Sequence, residues 1–136
     1  MQTAPSSSPR VLVVDDDPGV LQSLKLLLED DCDVTCVENP RVALTLATSQ
    51  TFDVIITDFK MPQMTGGEFA QAVKLNVKPT PYLLMLTGTP QSVTHTTPGG
   101  QDLVMVLAKP FEPDRLLRMV TQVGRLGLIR RGAVAN

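Results

Sequence analysis

Between residues 53 and 62 the chain reads DVIITDFKMP, and this stretch limits the possible folds most. Val54, Ile55, Ile56 and Thr57 form a short apolar or β-branched run that ends abruptly at Asp58. A run of this kind, bounded by polar residues, reads as a strand covered on both faces. Asp58 then stands where the strand leaves the core, and the carboxyl ends of parallel strands are where ligands collect. Met61-Pro62 forces an extended turn, since the residue before proline is pushed out of the helical region.

Four further runs repeat the pattern. Val11–Val14 precede Asp15, Asp16 and Asp17; the others are DVTCV (33–37), YLLMLT (82–87) and DLVMVL (102–107). Helical stripes lie between them. Asp17-Pro18 and Asn39-Pro40 each read as an N-cap followed by proline in the first turn. Behind the first, Val20, Leu21, Leu24, Leu27 and Leu28 recur at helical spacing; behind the second, Val42, Ala43, Leu46 and Ala47 do. A helix from Glu68 to about Leu75 is expected to bury Phe69, Ala72 and Val73. A last one from Pro113 carries Leu116, Leu117, Val120 and Val123.

Strands that alternate with helices, and are apolar throughout, predict a parallel sheet with helices on both faces. The expected fold is α/β: a three-layer, flavodoxin-like (βα)5 unit with a five-stranded parallel sheet in the order 2-1-3-4-5. Its fourth helix is expected to be short or irregular, because GTPQSVTHTTPGGQ (88–101) is poor helix material. His95 in that stretch reads as a solvated loop residue. Residues 1–9 are expected to form a disordered tail, 10–124 the domain, and 125–136, rich in Gly and Arg, a flexible C-terminal tail.

Charge and composition narrow the function. With 136 residues, a net charge of −2 and 4% aromatics, the chain has neither a basic footprint nor a base-stacking surface for nucleic acid. It has no apolar run of membrane-spanning length and no secretory h-region at the N-terminus. Cys32 and Cys36 have no CxxC spacing and read as small core residues in a reducing, cytoplasmic setting.

In the expected sheet, Asp15 and Asp16 from the first strand meet Asp58 from the third, Thr87 from the fourth and Lys109 beyond the fifth. Two carboxylates about 4 Å apart repel by ~4 kcal/mol at an effective dielectric of 20. A cation must offset that. Clustered oxygens open to water favour Mg²⁺. Lys109 adds a positive charge and Thr87 a hydroxyl. Such a site suits phosphoryl transfer onto a carboxylate, since an aspartate can act as a covalent nucleophile.

These motifs, VLVVDDDP, IITDFKMPQMTGGEF, MLTGT and AKPF, resemble those of response-regulator receiver domains of two-component signalling. The resemblance covers roughly residues 10–124. It implies that Asp58 is the phosphoacceptor and that Thr87 and Lys109 are catalytic. It also implies that Asp16, Asp58 and the backbone carbonyl of Lys60 bind Mg²⁺ (or Mn²⁺), with Asp15 holding a metal-bound water. The Lys109-Pro110 bond would be cis. The expected partners are a sensor histidine kinase or phosphotransfer protein, and a downstream protein target rather than nucleic acid or membrane. The chain departs from the pattern at Val106, where the family carries a switch Tyr or Phe. Together with the irregular 88–101 stretch, this points to a different signalling surface or to an order change in that stretch. Two other readings stay open: a receiver-like scaffold independent of phosphorylation, and a dehalogenase-like phosphatase using Asp15 and Asp17. The second leaves the Asp58 motif unexplained.

Overall fold

The computed structural model describes residues 8–88 and 104–134. Among the described residues five strands and four helices follow one another: β1 (Arg10–Val14), α1 (Pro18–Leu28), β2 (Asp33–Val37), α2 (Pro40–Ser49), β3 (Val54–Asp58), α3 (Gly66–Asn76), β4 (Tyr82–Thr87), β5 (Val104–Ala108) and α4 (Pro113–Arg130). All strand pairs are parallel, in the order β2-β1-β3-β4-β5. This is the expected flavodoxin-like arrangement. The expected short helical turn near residues 90–96, with His95, lies outside the described residues, as do positions 1–7.

Strand alternation divides the core into two apolar layers. Val11, Val13, Val54, Ile56, Leu84 and Leu86 point to one face and pack with Leu21, Leu24 and Leu28 of α1 and Leu116 and Val120 of α4. Leu12, Val14, Ile55, Leu83 and Met85 point to the other and pack with Ala43 and Ala47 of α2 and Phe69, Ala70 and Val73 of α3. Because both faces are covered, the central strands are apolar at every position rather than at alternate ones.

Local chemistry sets the helix starts. Asp17 accepts from Gly19 N at 2.8 Å and Asn39 from Arg41 N at 2.8 Å, each with proline in the first turn. At α3, Thr65 Oγ1 accepts from Glu68 N while Glu68 Oε1 accepts from Thr65 N. This capping box starts α3 at Gly66, two residues before the expected Glu68. On α2, Val42 is 49% exposed, so its inward stripe is narrower than the spacing suggests. On α3, Ala70 is buried and Ala72 only half-buried.

The C-terminal stretch departs most from expectation. Instead of fraying after residue 124, α4 continues to Arg130 with Leu128 buried. Its two glycines are contact points. A Cβ on Gly124 would lie 2.7 Å from Pro9 Cβ, and one on Gly127 would lie 2.7 Å from Asp53 Cβ. Arg131 then donates from Nε and Nη2 to the Asp53 carboxylate at 2.8 and 3.0 Å. Pro9, expected in the tail, is buried and accepts from Asp33 N at 2.8 Å.

Candidate functional site

At the carboxyl edge of the sheet, β1 and β3 lie side by side and deliver their terminal acids together. Asp15 N donates to Val37 O at 3.2 Å, which carries the β1–β2 pairing one residue past the strand. Asp15 Oδ1 accepts from Asp17 N at 2.9 Å. Asp58 is the last residue of β3 and pairs with Leu86, and Phe59 N donates to Leu86 O at 3.0 Å. Behind it, the start of α3 lies against the strand end. A Cβ on Gly66 would sit 2.5 Å from Asp58 O, so only glycine permits this approach. Thr57, buried just before Asp58, donates from Oγ1 to Asp58 O at 3.0 Å.

The expected residues come together. Carboxylate oxygens of Asp15, Asp16 and Asp58 lie within 4.8 Å of one another, with Asp15 buried, Asp58 half-buried and Asp16 exposed. Lys109 Nζ donates to Asp58 Oδ1 at 2.6 Å. Thr87 is buried at the end of β4, and its carbonyl accepts from Lys109 N at 2.8 Å. The Lys109-Pro110 bond is cis, and so is Lys78-Pro79. Lys60 lies exposed in the loop after β3. Val106 is partly buried on β5 beside the apolar layer of α2 and α3.

Electrostatics single out Asp15. Burial, opposed by the Asp17 N–H and then reinforced by the negative charge of Asp58, pushes its carboxyl up to about 6; Lys109 pulls it down and Asp16 adds a further push upward. Among the described residues its buried Oδ2 has no hydrogen-bond partner. A carboxylate oxygen is rarely left so, because an unsatisfied buried acceptor costs about 1–3 kcal/mol. An orphaned oxygen, two neighbouring acids and an open rim are what a hard divalent cation takes: oxygen ligands, few from the protein, the rest water. The donor set fits Mg²⁺, and Mn²⁺ by the same chemistry.

Two features of the site's support were not read from the sequence. The Thr57 hydroxyl looked like one more β-branched strand residue. At the other end of β3, Asp53 looked like a plain strand start, although a buried acid opening an apolar strand requires a cation, and Arg130-Arg131 was the available sequence signal.

Comparison with known proteins agrees with this geometry. Residues 11–121 match the family model described as the response regulator receiver domain. A protein-glutamate methylesterase/protein-glutamine glutaminase of Shewanella oneidensis is 40% identical over 90 residues, 64% of this chain and 25% of that protein. The cell cycle response regulator CtrA of Brucella ovis is 27% identical over 85% of this chain and 50% of its own length. The chain thus spans a quarter to a half of the length of these curated relatives. Among solved structures, the chemotaxis response regulator CheY4 of Vibrio cholerae is 36% identical with a TM-score of 0.67, covering 85% of this chain and 98% of that one. A structure described as adenylate cyclase from Rhodopirellula baltica is 31% identical with a TM-score of 0.78, covering 93% of each chain. A family match that runs from β1 into α4 and takes in the acids, Thr87 and Lys109 makes this chain a member of the response regulator receiver domain family.

Proposed function

We propose that the protein is a phosphorylatable switch that accepts a phosphoryl group on Asp58 from a phosphohistidine of a sensor kinase or phosphotransfer protein. The observation that carries the reading is the pairing of Asp58 with Lys109 at 2.6 Å beside the three-acid cluster and the orphaned Asp15 Oδ2. In the proposed step an Asp58 carboxylate oxygen attacks phosphorus. The imidazole N–P bond breaks with its electron pair going to the ring nitrogen, which takes up a proton. Lys109 neutralises one phosphoryl oxygen, and the Thr87 hydroxyl donates to another. Asp16, Asp58 and the Lys60 carbonyl would hold Mg²⁺, with Asp15 beside them; when bound, the ion would supply charge neutralisation on the transferring group. Beyond its own phosphorylation and dephosphorylation no further catalysis is proposed. Output is by protein–protein docking, in the cytoplasm. None of the described helices is long and apolar enough to cross a membrane.

The test is labelling with a phosphorylated donor. Label is expected on the wild type only with Mg²⁺, and is expected to be absent from Asp58→Asn. Persistent labelling of that variant at another residue would overturn the assignment. A second reading, docking independent of phosphorylation, is favoured by Val106, a side chain too small to act as the family's aromatic switch. Titration with beryllofluoride and Mg²⁺ separates the two. Saturable binding that leaves partner affinity unchanged supports the second. Past Gly88, the stretch 88–101 with its expected order change lies outside the described residues, and amide exchange with and without beryllofluoride tests it.

A further inference from the structure

The sheet edge opposite Asp58 holds a cavity of about 220 Å³, where the ends of α2 and α3 meet the start of β3 and the last turn of α4. Its charged lining is Lys78, Arg130 and Arg131 against the single acid Asp53. This local positive excess stands out in a chain whose net charge is −2.

Two of the cations are held in place before any ligand arrives. Arg131 is clamped by Asp53 through Nε and Nη2. A guanidinium carries five N–H donors, and this clamp uses two. The Arg130 guanidinium lies 4.8 Å from the centroid of the Tyr82 ring, a face contact that holds it by cation–π attraction rather than through its N–H donors. Donors fixed in this way lose little side-chain freedom on gripping an oxyanion, and a guanidinium matches phosphate and carboxylate alike.

The cavity also meets the carboxyl ends of two helices, whose last carbonyls lack intrahelical partners. The Thr48 and Ser49 hydroxyls donate inward to Thr45 O and so turn their lone pairs outward. A bare anion meets repulsion from these acceptors. A ligand with hydroxyl donors beside its charged group satisfies both halves of the lining. A volume of about 220 Å³ admits a compact metabolite.

We propose that this cavity is a second ligand site, taking a small hydroxylated oxyanion such as a triose phosphate or a hydroxy acid. The site is independent of the chemistry at Asp58. The test titrates the full chain, free of Mg²⁺, with glycerol 3-phosphate and separately with malate, following backbone amide NMR signals. Saturable shifts are expected at Phe52, Asp53 and Gly127 with at least one probe. Affinity should fall about fivefold or more in Lys78→Ala/Arg130→Ala, which leaves the Asp53–Arg131 clamp intact. The tighter probe tells whether phosphate or carboxylate is the preferred group. No saturable shift with either probe, or equal affinity in the variant, would overturn the proposal. If Arg130 proves necessary for folding, Lys78→Glu on its exposed turn gives the same reading.

Discussion

Asp15 carries a charge that its surroundings disfavour. Its carboxyl, pushed up to about 6 from 3.8, binds a proton more tightly in the folded chain than in the unfolded one. The stability this contributes is therefore full below about 3.8 and is lost as pH rises through about 6. Without Mg²⁺, Asp15→Asn should be more stable than the wild type by about 1–3 kcal/mol at pH 7, and the gap should close toward pH 4. Denaturant melts at the two pH values measure it. Added Mg²⁺ should raise the wild-type melting temperature and leave the variant nearly unmoved. Cys32 is a second such group: burial, with Asp31 and Asp53 nearby, pushes its thiol up to about 11. Native-state alkylation should run at least about a hundredfold slower than in the denatured chain, because the thiolate is the reacting form. The site acids were legible in the sequence because each follows an apolar run, and a strand end fixes its own place. Thr57 was not, because its hydroxyl acts through the Asp58 carbonyl it meets at 3.0 Å and the Met61 sulfur at 3.9 Å, contacts that only the folded turn creates.

At the level of elements, the helix starts were legible because caps are local: Asp17-Pro18 and Asn39-Pro40 need nothing beyond their neighbours. Thr65 follows the same logic, and Thr65→Ala should lower stability by about 1 kcal/mol in urea unfolding. The extent of α4 was hidden for the opposite reason. Gly124 and Gly127 look like helix breakers in one dimension. In three dimensions they let the helix lie against Pro9 and Asp53, more than 70 residues earlier in the chain for Gly127 and Asp53. The exchange is favourable because α4 brings Arg131 to a carboxylate that is 1% exposed. Asp53 Oδ2 keeps the Arg10 N–H at 2.8 Å, so Arg131→Ala leaves its buried charge partly compensated and should destabilise by about 3 kcal/mol. Gly127→Ala should lower stability by about 1–3 kcal/mol, since the added methyl presses on Asp53. Equilibrium unfolding of both variants checks this. A chain trimmed at residue 121, where the family match ends, should unfold more readily than the full one.

Across the whole molecule, β3 is the middle strand of the sheet. It pairs with both β1 and β4, belongs to both apolar layers, and carries Asp58 at one end with Asp53 just before the other. Order at the carboxyl rim is therefore coupled to helices on both faces. Beryllofluoride with Mg²⁺ should stabilise the protein by about 2.7 kcal/mol at a hundredfold excess over its dissociation constant. Protection from amide exchange should rise in α1 and α3 together. Protection confined to the rim loops would show that the rim moves by itself. The sheet order was legible because parallel strands with helical crossovers allow few topologies. What signals outward was not, because the chain covers only a quarter to a half of its curated relatives.

Because Lys109 Nζ grips Oδ1 of Asp58 at 2.6 Å, the two oxygens of that carboxylate are not equivalent. An ammonium ion marks one as occupied, and the lone pairs of the other become the better nucleophile. On the proposed role of Asp58 as phosphoacceptor, this inequality would fix the direction from which a donor presents its phosphorus.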